Sequence, residues 1–216
     1  MKLKVILLLG FLITLVISGC SRRALPGEPA LSAYEQIHRK LTEMENYRAR
    51  ATVEFRSNRS TNVYETIQVA KMDGRYRVEV TGPENVVGYI TLFDGSSIFQ
   101  FNPRISAKVS VSMMENPERT EIFVTSFVRN YMESAVVSVS SGNLGNNDFT
   151  ILEASLPGTH PYLVTERLWV NNKTLFPERL VIYDGDQNER IVVIFHEFEY
   201  NITLEEDFFT LDKVES

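Results

Sequence analysis

Three Asp-Gly dipeptides constrain the fold of this chain more than any other feature of its sequence. They are Asp73-Gly74, Asp94-Gly95 and Asp184-Gly185, and each lies between two runs rich in β-branched and aromatic residues. Glycine adopts a positive φ without steric penalty, so an Asp-Gly pair between two such runs predicts a tight hairpin. Strands joined by hairpins are antiparallel. The sequence therefore predicts a large antiparallel sheet made of strands that are neighbours along the chain.

Other runs bring the predicted total to ten or eleven strands. Apolar and polar residues alternate over residues 47–55, as in a strand with one buried face. Residues 191–195 are all apolar, and residues 162–170 carry apolar side chains at both parities, so something covers the second face of the sheet. Either a large sheet curls round helices, or an open barrel holds an apolar cavity that helices partly plug. The glycine- and asparagine-rich residues 140–148 are predicted to form an exposed loop. The remaining predicted strands are residues 64–70, 75–80, 86–93, 97–101, 105–111, 136–139, 149–156, 178–183 and 190–200.

The sequence predicts two principal helices. Ser32 and Glu35 have the spacing of a capping box, and apolar residues then recur at steps of three and four, which predicts a helix over residues 33–45. A second helix is predicted to begin where Asn116 can cap it and Pro117 can take its first position. Its apolar set is wider than one narrow stripe, which indicates a helix between two apolar surfaces: Ile122, Phe123, Val124, Phe127, Val128, Tyr131 and Met132.

The first residues have the pattern of an export signal. Two lysines precede an apolar run, residues 5–17, which is shorter than the roughly 20 residues that span a membrane. The run ends in Ile17-Ser18-Gly19-Cys20, which resembles the lipobox of bacterial lipoproteins. We therefore expect cleavage between Gly19 and Cys20 and a lipid on Cys20, which would anchor the chain to the extracytoplasmic face of the cell membrane. Cys20 is the only cysteine, so no disulfide can form within the chain.

We expect three segments along the chain. Residues 1–19 are predicted to be the signal peptide, residues 20–30 the lipidated cysteine and an extended linker, and residues 31–216 a single domain. The whole chain has a formal charge of -6, and loss of two lysines with the signal peptide makes the remainder more acidic. Such a chain is repelled by phosphate backbones, so no nucleic-acid partner is expected.

The last third of the chain resembles a known family. Residues 168–171 and 174–180, the hairpin at 183–186, residues 197–201 and the pair Phe208-Phe209 look like the closing hairpin and tail of the lipoprotein-carrier fold shared by LolA and LolB. The resemblance extends to the opening helix and to Tyr47 at the first strand. The lipobox, the chain length and residues 159–170 look most like the GerS-type germination lipoproteins of spore-forming bacteria.

This resemblance implies a mainly β (α+β) fold, in which a large curved antiparallel sheet forms a half-open β-barrel and two helices act as a plug or lid. The GerS-type resemblance implies a non-catalytic binding protein that binds and supports a cell-wall (cortex) amidase. The LolA and LolB resemblance implies instead a lipid or lipoprotein carrier whose apolar cavity holds acyl chains. The candidate cavity or lid residues are Phe123, Phe127, Tyr131 and Trp169.

No residue pattern indicates a cofactor, a metal site or a catalytic triad. The three histidines, His38, His160 and His196, do not have metal-ligand spacing. The best argument for a hydrolase would use His196 with Glu197 and Glu199 as acid and base. Strand alternation, however, predicts that His196 and Glu197 point to opposite faces of the sheet. We therefore expect a protein without catalytic residues.

Overall fold

The computed structural model describes residues 32–111, 120–158 and 161–210. The predicted signal peptide, Cys20, the linker, the predicted helix start at Asn116 and Pro117, and His160 all lie outside the described residues. Within those ranges, neither α-helix is long and apolar enough to cross a membrane.

All strands of the described chain belong to one antiparallel sheet. In chain order they are β1 (Asn46–Arg56), β2 (Thr61–Lys71), β3 (Tyr76–Gly82), β4 (Ile90–Phe93), β5 (Ile98–Asn102), β6 (Ala107–Val111), β7 (Val137–Leu144), β8 (Asn147–Ser155), β9 (Thr165–Asn171), β10 (Pro177–Tyr183) and β11 (Glu189–Tyr200). The order across the sheet is β6-β5-β4-β3-β2-β1-β11-β10-β9-β8-β7. The first strand therefore pairs with the last at the centre, and β6 and β7 form the two edges. The predicted class, a large curved antiparallel sheet with two helices, is confirmed.

The three predicted Asp-Gly hairpins are present, and they join β2 to β3, β4 to β5 and β10 to β11. Gly74 and Gly95 have φ angles of 102° and 103°, which a residue with a side chain rarely adopts. In the β10–β11 turn the positive φ, 63°, falls instead on Gln187. There the carboxylate of Asp184 accepts a hydrogen bond from the backbone N–H of Asn188 at 2.9 Å. In this turn the Asp184 side chain caps the backbone, and the positive φ lies at Gln187 instead of at Gly185.

The first helix, α1 (Ala33–Thr42), begins where the capping box predicts and ends three residues early. Ser32 and Glu35 form both hydrogen bonds of the box. The predicted end at Glu45 is wrong because the backbone of Glu45 forms hydrogen bonds with Asn201 and Met72 instead of continuing the helix. Its N–H donates to Asn201 Oδ1 at 2.7 Å, and its carbonyl accepts from the N–H of Met72 at 2.9 Å. These bonds replace the next helical turn.

The second helix, α2 (Val124–Glu133), lies in the connection between the two edge strands, β6 and β7. Residues 120–123 form a turn, so a helix running continuously from Pro117 is wrong. Phe123 precedes the helix with extended angles, φ -102° and ψ 135°. A chain that leaves one edge of the sheet and returns at the other must cross it, and α2 lies on this crossing.

Residues 140–148, predicted to be an exposed loop, form the turn end of the β7–β8 hairpin. Ser140 pairs with Ile151 and Leu144 with Asn147, so the turn contains only Gly145 and one neighbour. Gly145 has a φ of 61°. The glycines and asparagines have low intrinsic strand propensity, but pairing with the well-buried strand β8 overrides that preference.

The two faces of the sheet pack against different parts of the chain. We call the face that contacts both helices the inner face, and it carries the main hydrophobic cluster. The opposite, outer face carries two smaller clusters. We call residues 201–210, which follow β11, the C-terminal segment. One cluster packs Phe209 of this segment against Val69 and Leu92, and the other packs Trp169 against Val181 and Val192. Covering on both faces explains why some strands are apolar at both parities.

Candidate partner-binding and ligand-binding surfaces

Aromatic side chains fill the interior between α2 and the inner face. Phe123 and Phe127 are 2% and 0% exposed, and Tyr131 is buried. The ring centroid of Phe123 lies 4.6 Å from that of Tyr76, and Phe127 lies 5.7 Å from Tyr131. Three of the four predicted cavity or lid residues therefore lie together, and they pack as part of the main core.

The fourth predicted residue, Trp169, lies on the other side of the sheet. Its neighbours in β9, Leu168 and Val170, point to the inner face and are fully buried. Trp169 consequently points outward, where the guanidinium of Arg179 lies 5.4 Å from its ring. The structure therefore does not bring Trp169 together with Phe123, Phe127 and Tyr131. The alternation of side chains along a strand is the signal that separates Trp169 from Leu168 and Val170.

A buried hydroxyl connects α2 to the sheet. Tyr47 donates a hydrogen bond to Gln68 Oε1 at 3.0 Å and accepts one from the backbone N–H of Val124 at 3.3 Å. Burial raises the pKa of Tyr47 far above its ordinary value, so the hydroxyl keeps its proton. The helix has no side-chain cap of its own, because Phe123 occupies the capping position. Tyr47 satisfies one of the N–H groups that such a helix leaves open.

A buried carboxyl group lies against the other half of α2. Asn130 donates through Nδ2 to Glu166 Oε1 at 2.6 Å and to the carbonyl of Ser155 at 3.0 Å. Burial raises the pKa of Glu166 from 4.5 to about 7; the bond from Asn130 opposes this rise, and the charge of Glu121 adds to it. Near neutral pH this carboxyl group is therefore protonated in a large fraction of molecules.

A cavity of about 590 Å³ opens at one end of the inner face, beside the β1–β2 hairpin. Phe55 and Ile191 are register neighbours on β1 and β11. Arg190 links the surrounding turns, since its Nε donates to Asp184 at 2.7 Å and its Nη1 donates to Asn58 at 2.6 Å. The cavity was not predicted, because it is formed by loops that are distant in sequence. Its lining residues are Phe55, Arg56, Ser57, Asn58, Arg59, Asn62, Tyr162, Leu163, Arg190 and Ile191.

A second cavity, of about 490 Å³, lies on the outer face beneath the C-terminal segment. Arg48, Val69 and Glu79 contribute to its sheet side, and Leu204 and Phe208 contribute to the covering segment. The guanidinium of Arg77 lies 5.8 Å from the ring of Phe208. This cavity separates part of the C-terminal segment from the sheet that it crosses.

The geometry around His196 does not match a catalytic triad. Thr52 Oγ1 lies 2.7 Å from His196 Nε2 and 3.0 Å from Glu65 Oε1, so the carboxylate contacts the hydroxyl instead of orienting the imidazole. The prediction that His196 and Glu197 point to opposite faces is wrong. A β-bulge shifts the register of β1 and β11 here, and Glu197 pairs with Arg50 on the same exposed face. Among the described residues, no group of three histidine, cysteine or acidic side chains is arranged to hold a metal ion.

Several solved structures are similar to this chain. An uncharacterized conserved protein from Thermus thermophilus is 12% identical and has a TM-score of 0.52, over 82% of this chain and 93% of that one. A LolA superfamily protein from Nitrosomonas europaea is 16% identical, with a TM-score of 0.44 over 85% of this chain and 100% of that one. A chain from the structure of the CwlD amidase from Clostridioides difficile in complex with the GerS lipoprotein is 27% identical, with a TM-score of 0.49 over 85% and 100%. The fold that the chain shares with the first of these structures is a curved antiparallel sheet packed against helices.

A family match makes the assignment more specific. The family described as sporulation protein YdcC-like matches residues 1–209. The chain belongs to this YdcC-like sporulation protein family. No curated protein matches it significantly. The predicted resemblance to the lipoprotein-carrier-like group, including GerS, is confirmed.

Proposed function

We propose that this protein is a non-catalytic, lipid-anchored binding protein on the extracytoplasmic face of the cell membrane, and that it binds and supports a cell-wall amidase in germination. Membership of a sporulation family supports the process, and the lipobox that ends in Cys20 supports the anchor. The observation that carries the proposal is the packing of the interior. The aromatic side chains of α2 belong to the main core cluster, so the outer surfaces are the accessible ones.

The outer face of the sheet has residues of the kind that dominate protein interfaces. Trp169 is half-buried beside Arg179, and Ile194 is 37% exposed on the neighbouring strand β11. Tryptophan and arginine are enriched among the residues that contribute most to binding energy. We call Trp169, Arg179 and Ile194 the outer patch. It supports a protein partner at this face.

Recovery of the complex tests the proposal directly. The full-length tagged chain, extracted from membranes of its sporulating host in mild detergent, should carry a stoichiometric amidase in native mass spectrometry. The purified chain should also raise the activity of that amidase. The complex of GerS with CwlD names the class of enzyme to examine first. Absence of any complex at micromolar concentration would contradict the proposal.

A variant of the outer patch tests where the partner binds. Trp169→Ala should weaken the complex about tenfold or more, because a central aromatic residue of an interface typically contributes at least that much. Ile105→Ala is the matched control, since Ile105 is 69% exposed and lies in the β5–β6 turn. Equal affinities for both variants would exclude the outer patch as the binding surface.

A second candidate function, carriage of a lipid or lipoprotein, is favoured by one observation. The cavity beside the β1–β2 hairpin has an apolar floor made of Phe55, Leu163 and Ile191. Under this alternative the native mass spectrum should contain a lipid-sized mass in place of a protein partner. Leu163→Ala, in the floor of that cavity, should then alter lipid uptake, and unchanged uptake would argue against carriage.

A further inference from the structure

The cavity beside the β1–β2 hairpin has an aromatic and apolar base. Phe55 and Ile191 lie side by side across the β1–β11 pairing, and Leu163 packs against the main core. The ring of Tyr64 stands edge-on to Phe55, with 6.1 Å between centroids. Tyr162 is 53% exposed at the wall. The cavity therefore presents ring and aliphatic surface to a ligand.

Most of its lining is polar. Seven of the ten lining residues carry hydrogen-bonding side chains, and they surround the apolar base: Arg56, Ser57, Asn58, Arg59, Asn62, Tyr162 and Arg190. An acyl chain would cover these groups without offering them hydrogen bonds, which is unfavourable. A saccharide suits the mixture better, because its hydroxyl groups pair with amides and guanidinium groups while its C–H face packs on apolar and aromatic side chains.

The lining of the cavity is positively charged, and the charge of Arg59 is not balanced by an acidic residue of the described chain. Arg190 is paired with Asp184 at 2.6 Å, and Arg56 with Glu54 at 2.6 Å. Arg59 is exposed and makes no ion pair with any residue in the part of the chain that the structure describes. Among the described residues that line the cavity, none is acidic. A guanidinium group binds a carboxylate through two parallel hydrogen bonds, so one uncompensated arginine fits a ligand with one carboxylate.

We infer that this cavity binds a saccharide that bears a carboxylate, and that its ligand is cell-wall glycan from which the peptide has been removed. In such glycan the lactyl group of muramic acid is joined to the peptide by an amide bond. An amidase adds water across that bond, which leaves a carboxylate on the sugar and an amine on the departing peptide. This inference rests on the proposed function, and it makes the protein a receptor for the product of its partner's reaction.

Binding of three probes to the full-length chain in non-ionic detergent tests the inference. The first is the peptide-free disaccharide of N-acetylglucosamine and N-acetylmuramic acid. The second is the same disaccharide with its carboxyl group converted to an amide, and the third is octanoate, an anion with an acyl chain. Saturation-transfer NMR should detect the free-carboxyl disaccharide most strongly, and octanoate should not displace it.

Variants then separate the charge from the apolar surface. Arg59→Gln should weaken binding of the free-carboxyl disaccharide about tenfold, to the level of the amide probe, because a charge-assisted pair is lost. Tyr162→Ala should weaken binding of both disaccharides. Arg104→Gln is the matched control, since Arg104 is an exposed arginine in the β5–β6 turn and is not part of the cavity lining.

Three results would overturn the inference. They are no saturable binding of the free-carboxyl disaccharide at millimolar concentration, equal effects of Arg59→Gln and Arg104→Gln, and displacement of the disaccharide by octanoate. Recovery of the amidase complex, measured on the same preparation, distinguishes failure of this inference from failure of the proposed function. A complex without saccharide binding refutes only this inference, whereas saccharide binding without a complex keeps the site and refutes the amidase function.

Discussion

The carboxyl group of Glu166 makes the stability of this protein depend on pH. Its folded-state pKa of about 7 lies above the ordinary 4.5, so the folded protein binds this proton more tightly than the unfolded chain does. The contribution of Glu166 to the free energy of unfolding is therefore fully present below pH 4.5 and decreases as the pH rises to about 7. The loss amounts to about 3 kcal/mol, as an order of magnitude.

Glu166→Gln should remove that dependence. Glutamine can keep the hydrogen bond from Asn130 and cannot ionise, so the variant should lose much less free energy of unfolding between about pH 5 and pH 8 than the parent protein. Urea unfolding at the two pH values measures the difference. Glu199→Gln, at an exposed position on β11, is the control and should behave as the parent. Identical pH dependence in all three proteins would contradict the assignment.

Tyr47 is the residue whose hydroxyl joins the sheet to the start of α2. Tyr47→Phe leaves the Val124 N–H and the Gln68 carbonyl oxygen without this partner in a buried place. We expect a destabilisation of about 1–3 kcal/mol and faster hydrogen exchange at Val124. Tyr64→Phe, at a half-buried tyrosine of β2, should change either quantity by less. Equal effects would show that the hydroxyl does not hold the helix.

At the scale of elements, α2 combines one fully buried side with one exposed side. Phe127→Ala should destabilise the protein by about 3–5 kcal/mol, because the ring is 0% exposed and its removal leaves a cavity in the core. Met132→Ala on the same helix should cost less than about 0.5 kcal/mol, since Met132 is 44% exposed. Denaturant unfolding measures both. Similar losses would mean that α2 does not pack as described.

Elements were predicted well where local chemistry sets them and poorly where distant contacts do. The capping box of Ser32 and the Asp-Gly turns depend on neighbouring residues, and they were found where the sequence predicted them. The end of α1 depends on Asn201, and the β7–β8 hairpin depends on pairing across the sheet. Trp169 lies on the opposite face of the sheet from Leu168, as the alternation along the strand predicts. The cavity lined by Arg59 joins segments that no local pattern connects.

For the whole molecule, the proposed lipid anchor gives a prediction of its own. Replacing the proposed lipid acceptor, Cys20→Ser, should move the protein from the membrane fraction to the soluble fraction, because lipid chains on that cysteine would provide the attachment. Immunoblots of fractionated host cells measure the distribution, and Ser21→Ala is the control. Retention of the Cys20→Ser protein in membranes would show that another segment attaches it. Amidase binding by the released protein should remain intact, since the proposed outer patch lies far along the chain from Cys20.

The pairing of β1 with β11 at the centre of the sheet bears on how this chain reaches its native state. Contacts between the first and the last strand give the fold a high contact order, and such folds form slowly. A chain synthesised from its N-terminus can build the meander from β1 to β6, but one long side of β1 stays unpaired until residues 189–200 emerge. The nascent protein therefore exposes an aggregation-prone strand edge for almost the whole time of its synthesis, which makes it a natural client for folding chaperones.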